Sequence, residues 1–309
     1  MPPKILVATS SFASADRSPL ERLQREGLDI IMNPHGRKLT QGELSDLLPG
    51  ITGIIAGLEP LNREVLEKSQ LKVISRVGVG VNNVDLEAAK DLGIRVYYTP
   101  EGPTKAVSEL TVGMMITLCR RVPEMDRALH EGQWAKQIGL QLENRRVLII
   151  GAGRIGCIVI AMLRPFGPEI MIADPHVKAP PAGVEVVPLP EALPQADVIS
   201  MHASGEQEIL GEEEFQLMKP GVFLLNPGRG GLISETALCQ ALEGGKVAGA
   251  WIDTFSQEPY RGPLCRFPQV LLTPHIGTYS SQCRQSMEIG AVENLLLGMA
   301  GKPGGTLVP

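Results

Sequence analysis

The stretch "RRVLIIGAGRIG" (145–156) decides the fold. Two arginines lead an apolar β-type run straight into Gly151, Gly153 and Gly156, the spacing G-x-G-x-x-G. Such a run is informative only with a strand before it, a helix after it and an acidic residue roughly 20 positions on. "RRVLII" reads as the strand, "RIGCIVIAMLRPFG" (154–167) as the helix, and Asp174 closes the next strand eighteen residues past Gly156. In this context Gly151 permits a tight turn, Gly153 lets the backbone approach a pyrophosphate, and Gly156 lets helix and sheet pack closely. The helix N-terminus offers N–H groups and a partial positive charge to phosphates. Asp174 can accept hydrogen bonds from ribose hydroxyls and repels a 2′-phosphate, so NAD is expected over NADP.

Outward from this motif, β-type runs alternate with helical ones throughout. "KILVATS" (4–10), "DIIMNP" (29–34), "ITGIIAG" (51–57), "KVISRVG" (72–78) and "RVYYT" (95–99) read as buried strands, separated by helical segments. "RRVLIIG" (145–151), "EIMIADP" (169–175), "ADVISMHA" (196–203), "GVFLLNPG" (221–228), "VAGAWIDTF" (247–255) and "VLLTPHIG" (270–277) repeat the pattern. Alternation of this kind implies parallel sheets covered on both faces. Between the halves, "PTKAVSELTVGMMITLCRRVPEMDRALHEGQW" (103–134) predicts a long helix, broken near Pro123, whose middle is apolar nearly all round and should be buried within the chain or against another subunit. "SSQCRQSMEIGAVENLLLGMAG" (280–301) reads as a closing helix.

Composition narrows the functions. With 309 residues, two domains are expected; 43% hydrophobic and 20% charged residues are ordinary for a soluble globular protein. A formal charge of −5 argues against a nucleic-acid footprint. No window offers the ~18 apolar residues of a membrane span, and "MPPKILVATS" reads as a strand entry rather than a signal peptide. The five scattered cysteines form no C-x-x-C, so neither a disulfide framework nor a metal site is indicated, and a cytoplasmic location is the default.

Three residues after strands of the second half suggest redox chemistry on a carbinol carbon. His275 follows one strand, Arg229 stands in a glycine-rich turn after another, and Glu258 lies in a loop after a third. Open α/β sheets bind their ligands at these carboxyl edges. An imidazole can move a proton near neutral pH, a guanidinium can fork onto a carboxylate, and a carboxylate can fix the imidazole tautomer.

The motifs "RVGVGVNNVDL" (76–86), "SELTVGMMITLCRRVP" (108–123), "GAGRIG" (151–156), "NPGRGGLISETAL" (226–238), "DTFSQEP" (253–259) and "TPHIG" (273–277) make the chain resemble the D-2-hydroxyacid dehydrogenase family over essentially its whole length, most closely the phosphoglycerate dehydrogenase branch. The resemblance implies an α/β fold of two doubly wound parallel-sheet domains. A flavodoxin-like substrate domain would span 1–99 and 281–309, and a Rossmann-type NAD domain 100–280, the two closing over a cleft. It implies an NAD-dependent oxidoreductase acting on a small D-2-hydroxy acid or 2-oxo acid of the 3-phosphoglycerate, glycerate/hydroxypyruvate or glyoxylate type. Its catalytic set would be Arg229, Glu258 and His275. Arg76, Val79 and Gly80 would bind substrate. Gly151, Gly153, Arg154, Ile155, Gly156, Asp174, His202, Ala203, Asn226, Pro227, Gly228, Asp253 and Gly277 would line the cofactor, with Asn226 and Asp253 near the nicotinamide. A homodimer through 103–134 is also implied.

The chain departs from the family pattern in two places. "MHASGEQEIL" (201–210) keeps His202 but lacks the proline that usually follows, and the loop is short, which touches adenine-side contacts and the NAD/NADP choice. "AGLEPL" (56–61) has no arginine where a second phosphate ligand is expected in the phosphoglycerate branch, and no regulatory extension of the kind many phosphoglycerate dehydrogenases carry is expected. Substrate therefore stays open among small 2-oxo acids. An NAD(H)-sensing corepressor and an oxidant of a non-carbon acid such as phosphite are the alternative readings on the same framework.

Overall fold

The computed structural model describes residues 2–205 and 207–308; Met1, Pro309 and Glu206 of the 201–210 loop lie outside the described residues. In chain order the elements begin β1 (Lys4–Val7), α1 (Ser18–Gln24), β2 (Asp29–Met32), α2 (Gln41–Leu47), β3 (Ile51–Ala56), α3 (Arg63–Glu67), β4 (Val73–Arg76), α4 (Leu86–Asp91) and β5 (Arg95–Tyr97). Two helices follow, α5 (Glu101–Cys119) and α6 (Val122–His130). Then come β6 (Arg146–Ile150), α7 (Arg154–Leu163), β7 (Glu169–Ala173), β8 (Glu185–Val186), α8 (Leu189–Ala192), β9 (Val198–Met201), α9 (Glu212–Leu217) and β10 (Val222–Asn226). The chain closes with α10 (Glu235–Glu243), β11 (Val247–Ile252), β12 (Val270–Leu272) and α11 (Ser281–Met299).

The chain divides into two compact units, Met1–Pro103 with Thr278–Pro309, and Thr104–Gly277. In the first unit five strands run in the order β2-β1-β3-β4-β5, every pair parallel. This is the flavodoxin-like order, with its switch point between β1 and β3. Helices cover the sheet because each short helix carries its own stop and start signals. Thr40 forms a reciprocal capping box with Glu43 at the start of α2, and the Asn62 and Asp85 side chains cap α3 and α4. One core, including Leu6, Leu44, Ile54, Leu66 and Ile74, fills one side of the sheet, and α11 packs on β3 and β4.

In the second unit seven parallel strands run β12-β11-β10-β9-β6-β7-β8. Read from β8, this is the doubly wound Rossmann order extended by one strand, and the order reverses between β6 and β9. Strands buried on both faces explain the near-continuous apolar runs of the sequence: β9 and β10 have no exposed residue. Cores on the two faces are built around Ile150, Leu224 and Ala250 on one side and Ile149, Leu225 and Trp251 on the other.

One local expectation is corrected, and the expected break near Pro123 is located. The long helical stretch breaks at Arg121, which adopts a left-handed φ of 52°, and Pro123 sits in the first turn of α6, where a proline is tolerated. Helix α6 ends at His130, so 131–134 are not helical, and Trp134 is 80% exposed. Within the single chain the apolar middle of α5 is partly uncovered: Gly113 is exposed and Leu110 and Met114 are half-buried. Strand β8 is an addition that its two residues could not announce. Among the described residues no helix is long and apolar enough to cross a membrane, and no His/Cys/Asp/Glu cluster forms a metal-type group.

Candidate active site

The glycine loop stands at the switch point of the seven-stranded sheet. Gly151 leaves β6 with φ 95°, and a Cβ there would lie 2.5 Å from the backbone nitrogen of Ala203. The two strand ends that flank the reversal are thus in backbone contact, which only glycine allows. A Cβ on Gly156 would run into the carbonyl oxygen of Gly151, so helix and loop also meet without a side chain between them. Gly153 is different. It caps α7 with ordinary φ −71°, no side chain caps the helix, and a Cβ there would meet nothing within 4 Å. Its open face, at an uncapped helix N-terminus, is the cradle a pyrophosphate needs, and Arg154 and Ile155 form the first turn of α7 beside it.

Asp174, half-buried past β7, grips the loop. Its Oδ2 accepts the Ala152 N–H at 2.8 Å and its Oδ1 accepts the His176 N–H at 2.8 Å. Carboxylate oxygens have lone pairs beyond these two bonds, so the residue still suits ribose hydroxyls. Across the switch point, His202 is half-buried beside Ala203, its Nε2 lies 2.9 Å from Ser200 Oγ, and burial pushes its pKa down to about 3. A ring kept neutral by its surroundings suits packing against a cofactor rather than proton exchange. Together the open glycine, the bare helix end and the acidic residue fit a dinucleotide.

Three neighbouring strands then deliver the candidate catalytic residues. Past β10, Asn226 is 1% exposed and spends its amide on the turn: Nδ2 donates to the Arg229 carbonyl at 2.9 Å, and Oδ1 accepts the Gly228 N–H at 3.1 Å. This shapes the Pro227–Gly228 bend and presents Arg229, half-buried, whose Nη1 donates to the Gly228 carbonyl at 2.8 Å. The next glycine matters: a Cβ on Gly230 would fall on the backbone of Phe255 and Ser256. The Arg229 turn therefore lies directly against the loop that carries Glu258.

Glu258 accepts the Phe255 N–H at 3.1 Å, and both its oxygens lie 3.1 Å from His275 Nδ1. The pair is partly open, with 27% of the Glu258 and 33% of the His275 side chain exposed. A carboxylate at Nδ1 orients the ring and leaves Nε2 for proton exchange with a ligand. His275 itself adopts a left-handed φ of 54°, unusual for a residue with a side chain and common at functional turns.

That turn is held from below by Asp253. Asp253 is 1% exposed; its carbonyl accepts the His275 N–H at 2.9 Å, Oδ1 accepts the Ile276 N–H at 2.8 Å, and Oδ2 accepts the Gly277 N–H at 2.9 Å. Sequence reading marks Asp253 and Asn226 only as cofactor neighbours. It misses their hold on the His275 and Arg229 turns, and it misses Trp251 and Thr273 around Asp253.

In the first unit, Arg76 ends β4 in register with Ala56 of β3 and is 6% exposed. Its Nη1 donates to the Val77 carbonyl. Gly78 exchanges hydrogen bonds with Thr99, its N–H reaching Thr99 Oγ1 at 2.7 Å and its carbonyl accepting the Thr99 N–H at 2.9 Å. Val79, exposed, and Gly80, half-buried, follow at the carboxyl edge of the five-stranded sheet. Within "AGLEPL" (56–61), the stretch that lacks the expected second arginine, Glu59 is 1% exposed and its carboxylate accepts the Gly57 N–H at 2.6 Å. Burial raises the Glu59 pKa, against the opposing pull of backbone hydrogen bonds and Arg76.

Residues 112–277 match the family described as D-isomer specific 2-hydroxyacid dehydrogenase, NAD binding domain. A D-3-phosphoglycerate dehydrogenase from Archaeoglobus fulgidus is 30% identical over 97% of this chain and 58% of its own length. One from Sus scrofa is 34% identical over 93% of this chain and 55% of its own. The chain thus spans about half the length of the curated relatives it matches. Among solved structures, the TT0316 protein from Thermus thermophilus is 34% identical with a TM-score of 0.92, covering 99% of this chain and 100% of that one. A glyoxylate reductase from Paecilomyes thermophila is 28% identical with a TM-score of 0.86, covering 100% and 98%.

Proposed function

Because the chain belongs to the D-isomer specific 2-hydroxyacid dehydrogenase family, we propose that it is an NAD-dependent oxidoreductase interconverting a small D-2-hydroxy acid and its 2-oxo acid. The observation that carries this reading is the Glu258–His275 pair at the carboxyl edge of a Rossmann sheet whose switch point holds the open glycine cradle. In this reading the middle unit binds NAD, and the unit formed by the two ends of the chain binds substrate through Arg76, Val79 and Gly80.

When bound, NAD supplies or accepts the hydride at its nicotinamide ring. His275 gives a proton to the 2-oxo oxygen during reduction and takes it back during oxidation, through Nε2. Glu258 holds Nδ1, fixes the tautomer and stabilises the imidazolium that forms on oxidation. Arg229, presented by the turn that Asn226 ties, pairs with the substrate carboxylate and polarises the reacting oxygen. Asp174 receives the ribose hydroxyls, and Gly151, Gly153, Arg154, Ile155 and Gly156 receive the pyrophosphate. His202, Ala203, Pro227, Gly228 and Gly277 are assigned to the cofactor's walls. The five cysteines are free thiols, which supports a reducing, cytoplasmic setting. Leu129 and Trp134, exposed by 57% and 80%, support a homodimer through the 103–134 region.

A panel of 2-oxo acids (3-phosphohydroxypyruvate, hydroxypyruvate, glyoxylate and longer homologues) with NADH and NADPH tests the reading by loss of absorbance at the reduced ring. Turnover of at least one acid is expected. Tight NADH binding without turnover of any acid overturns it in favour of a nucleotide sensor. The sensor is the weaker reading, since binding alone has no need for an imidazole paired with a carboxylate.

A further inference from the structure

The turn that carries His275 is tied to the sheet core by a side-chain relay that the proposed chemistry leaves unused. Trp251, the penultimate residue of β11, is wholly buried, in register with Leu225 on one side and Leu271 on the other. Its indole N–H donates to Thr273 Oγ1 at 2.9 Å, and that hydroxyl lies 2.5 Å from Asp253 Oδ1. An indole nitrogen can only donate, and a hydroxyl carries one proton. Trp251 can only donate to Thr273 and the Asp253 carboxylate can only accept from it, so Thr273 turns its proton onto Asp253 and the relay runs in one direction, from core to loop.

The end of the relay is the His275 turn. Asp253 accepts from Thr273, from the Ile276 N–H and from the Gly277 N–H, while its own carbonyl accepts the His275 N–H. One residue therefore receives three successive backbone donors, at 275, 276 and 277, around a left-handed φ of 54°. A side chain resists that conformation, so the turn persists only while its surroundings over-determine it. The Asp253 carboxylate serves both amides only over a narrow range of χ2, and the Thr273 hydroxyl adds a third hydrogen bond to the same orientation.

We propose that Trp251 and Thr273 are positioning residues of the reaction: by orienting Asp253 they hold the left-handed turn that aims His275 Nδ1 at Glu258. The inference rests on the reading of His275 as the proton-transfer group. It assigns the two residues no contact with substrate or cofactor; because Gly277 at the end of the turn is assigned to the cofactor's wall, their loss should slow the chemical step more than it weakens cofactor binding. Removing only the hydroxyl isolates the relay from the packing around it, whereas Trp251→Phe removes the indole N–H together with part of a buried ring, which Thr273→Val does not.

Three variants test this: Thr273→Val, Thr273→Ser and Trp251→Phe. In Thr273→Val, kcat should fall about tenfold, equivalent to one misplaced hydrogen-bonding group, while KM for NADH stays within about twofold. Thr273→Ser should recover to within about threefold of the parent, and Trp251→Phe should lie between the two. A readout independent of turnover is amide hydrogen exchange at Ile276 and Gly277 in the cofactor-free protein, faster in Thr273→Val and Trp251→Phe and parent-like in Thr273→Ser. If Thr273→Val does not fold, Trp251→Phe, which keeps a ring in the core, carries the comparison. Parental kcat in the folded variants, or a serine variant no better than valine, overturns the proposal while His275→Gln is inactive. An active His275→Gln overturns the catalytic reading instead.

Discussion

Glu258 and His275 meet across 3.1 Å with both carboxylate oxygens equidistant from Nδ1, although one lies in the loop past β11 and the other in the turn past β12. Both loops are fastened at their bases: Glu258 by the Phe255 N–H, His275 by the carbonyl of Asp253. Two independently anchored side chains that converge this way act as a unit. His275→Gln should lower kcat by about a hundredfold or more, and Glu258→Gln by a smaller factor. The double variant should be little worse than His275→Gln alone, because the carboxylate has no role once the imidazole is gone. Steady-state kinetics on the three proteins, with NADH affinity measured separately, check this; additive losses would separate the two residues.

Gly151 and Gly153 should fail differently. At Gly151 a new Cβ would press on Ala203 and φ is 95°, so Gly151→Ala should lower both stability and cofactor binding. At Gly153 the backbone is ordinary and the added methyl meets no protein atom within 4 Å, so Gly153→Ala should melt like the parent. Its methyl would instead stand where a pyrophosphate approaches, weakening NADH binding about tenfold or more. Melting curves beside NADH fluorescence titrations distinguish the two. Normal NADH affinity in a folded Gly153→Ala protein would remove the phosphates from this loop.

Much of this arrangement is legible in the sequence because it is local. Strand runs and the glycine spacing depend on residues a few positions apart, and they announce the parallel α/β architecture on their own. The His275, Glu258 and Arg229 loops are legible as strand ends, where such sheets bind ligands. What stays hidden is contact across strands. Nothing in "AWIDTF" says that Asp253 receives three donors from "TPHIG", since those bonds span twenty residues or more. Nor does a run of ordinary side chains reveal that Arg121 turns left-handed and ends one helix before Pro123 can. Glu59 illustrates the same limit: nothing in an acidic residue between Leu58 and Pro60 announces burial, yet it is 1% exposed and its carboxylate accepts the Gly57 N–H.

Acid sensitivity should trace in part to His202. Burial holds its folded pKa down near 3, whereas an unfolded chain titrates it near ~6.5. Between those values the unfolded state takes up a proton that the folded state refuses, so this residue subtracts stability as pH falls below about 6.5. At pH 7 both states are neutral and the effect vanishes. In His202→Gln the drop in unfolding free energy from pH 7 to pH 5 should be smaller than in the parent by on the order of 1 kcal/mol. Urea titrations at the two pH values measure it directly. Equal drops in both proteins would mean that the ring takes up its proton in the folded state.

Asp174 carries two duties that one substitution can separate. Its two oxygens each accept a backbone N–H, from Ala152 and His176, at 2.8 Å. An asparagine in its place would offer one acceptor and one NH2 group, so whichever way it turns, one N–H loses its partner and faces another donor. Asp174→Asn should therefore lower the melting temperature by a few degrees, the loss of about one hydrogen bond. It also removes the negative charge that opposes a 2′-phosphate, so the ratio of kcat/KM for NADPH to that for NADH should rise about tenfold. The two effects have different readouts, calorimetry for the loop and cofactor kinetics for the charge. A lowered melting temperature with an unchanged cofactor ratio would leave Asp174 as a staple for the glycine loop alone, and the choice of NAD would then have to come from elsewhere along the 201–210 loop.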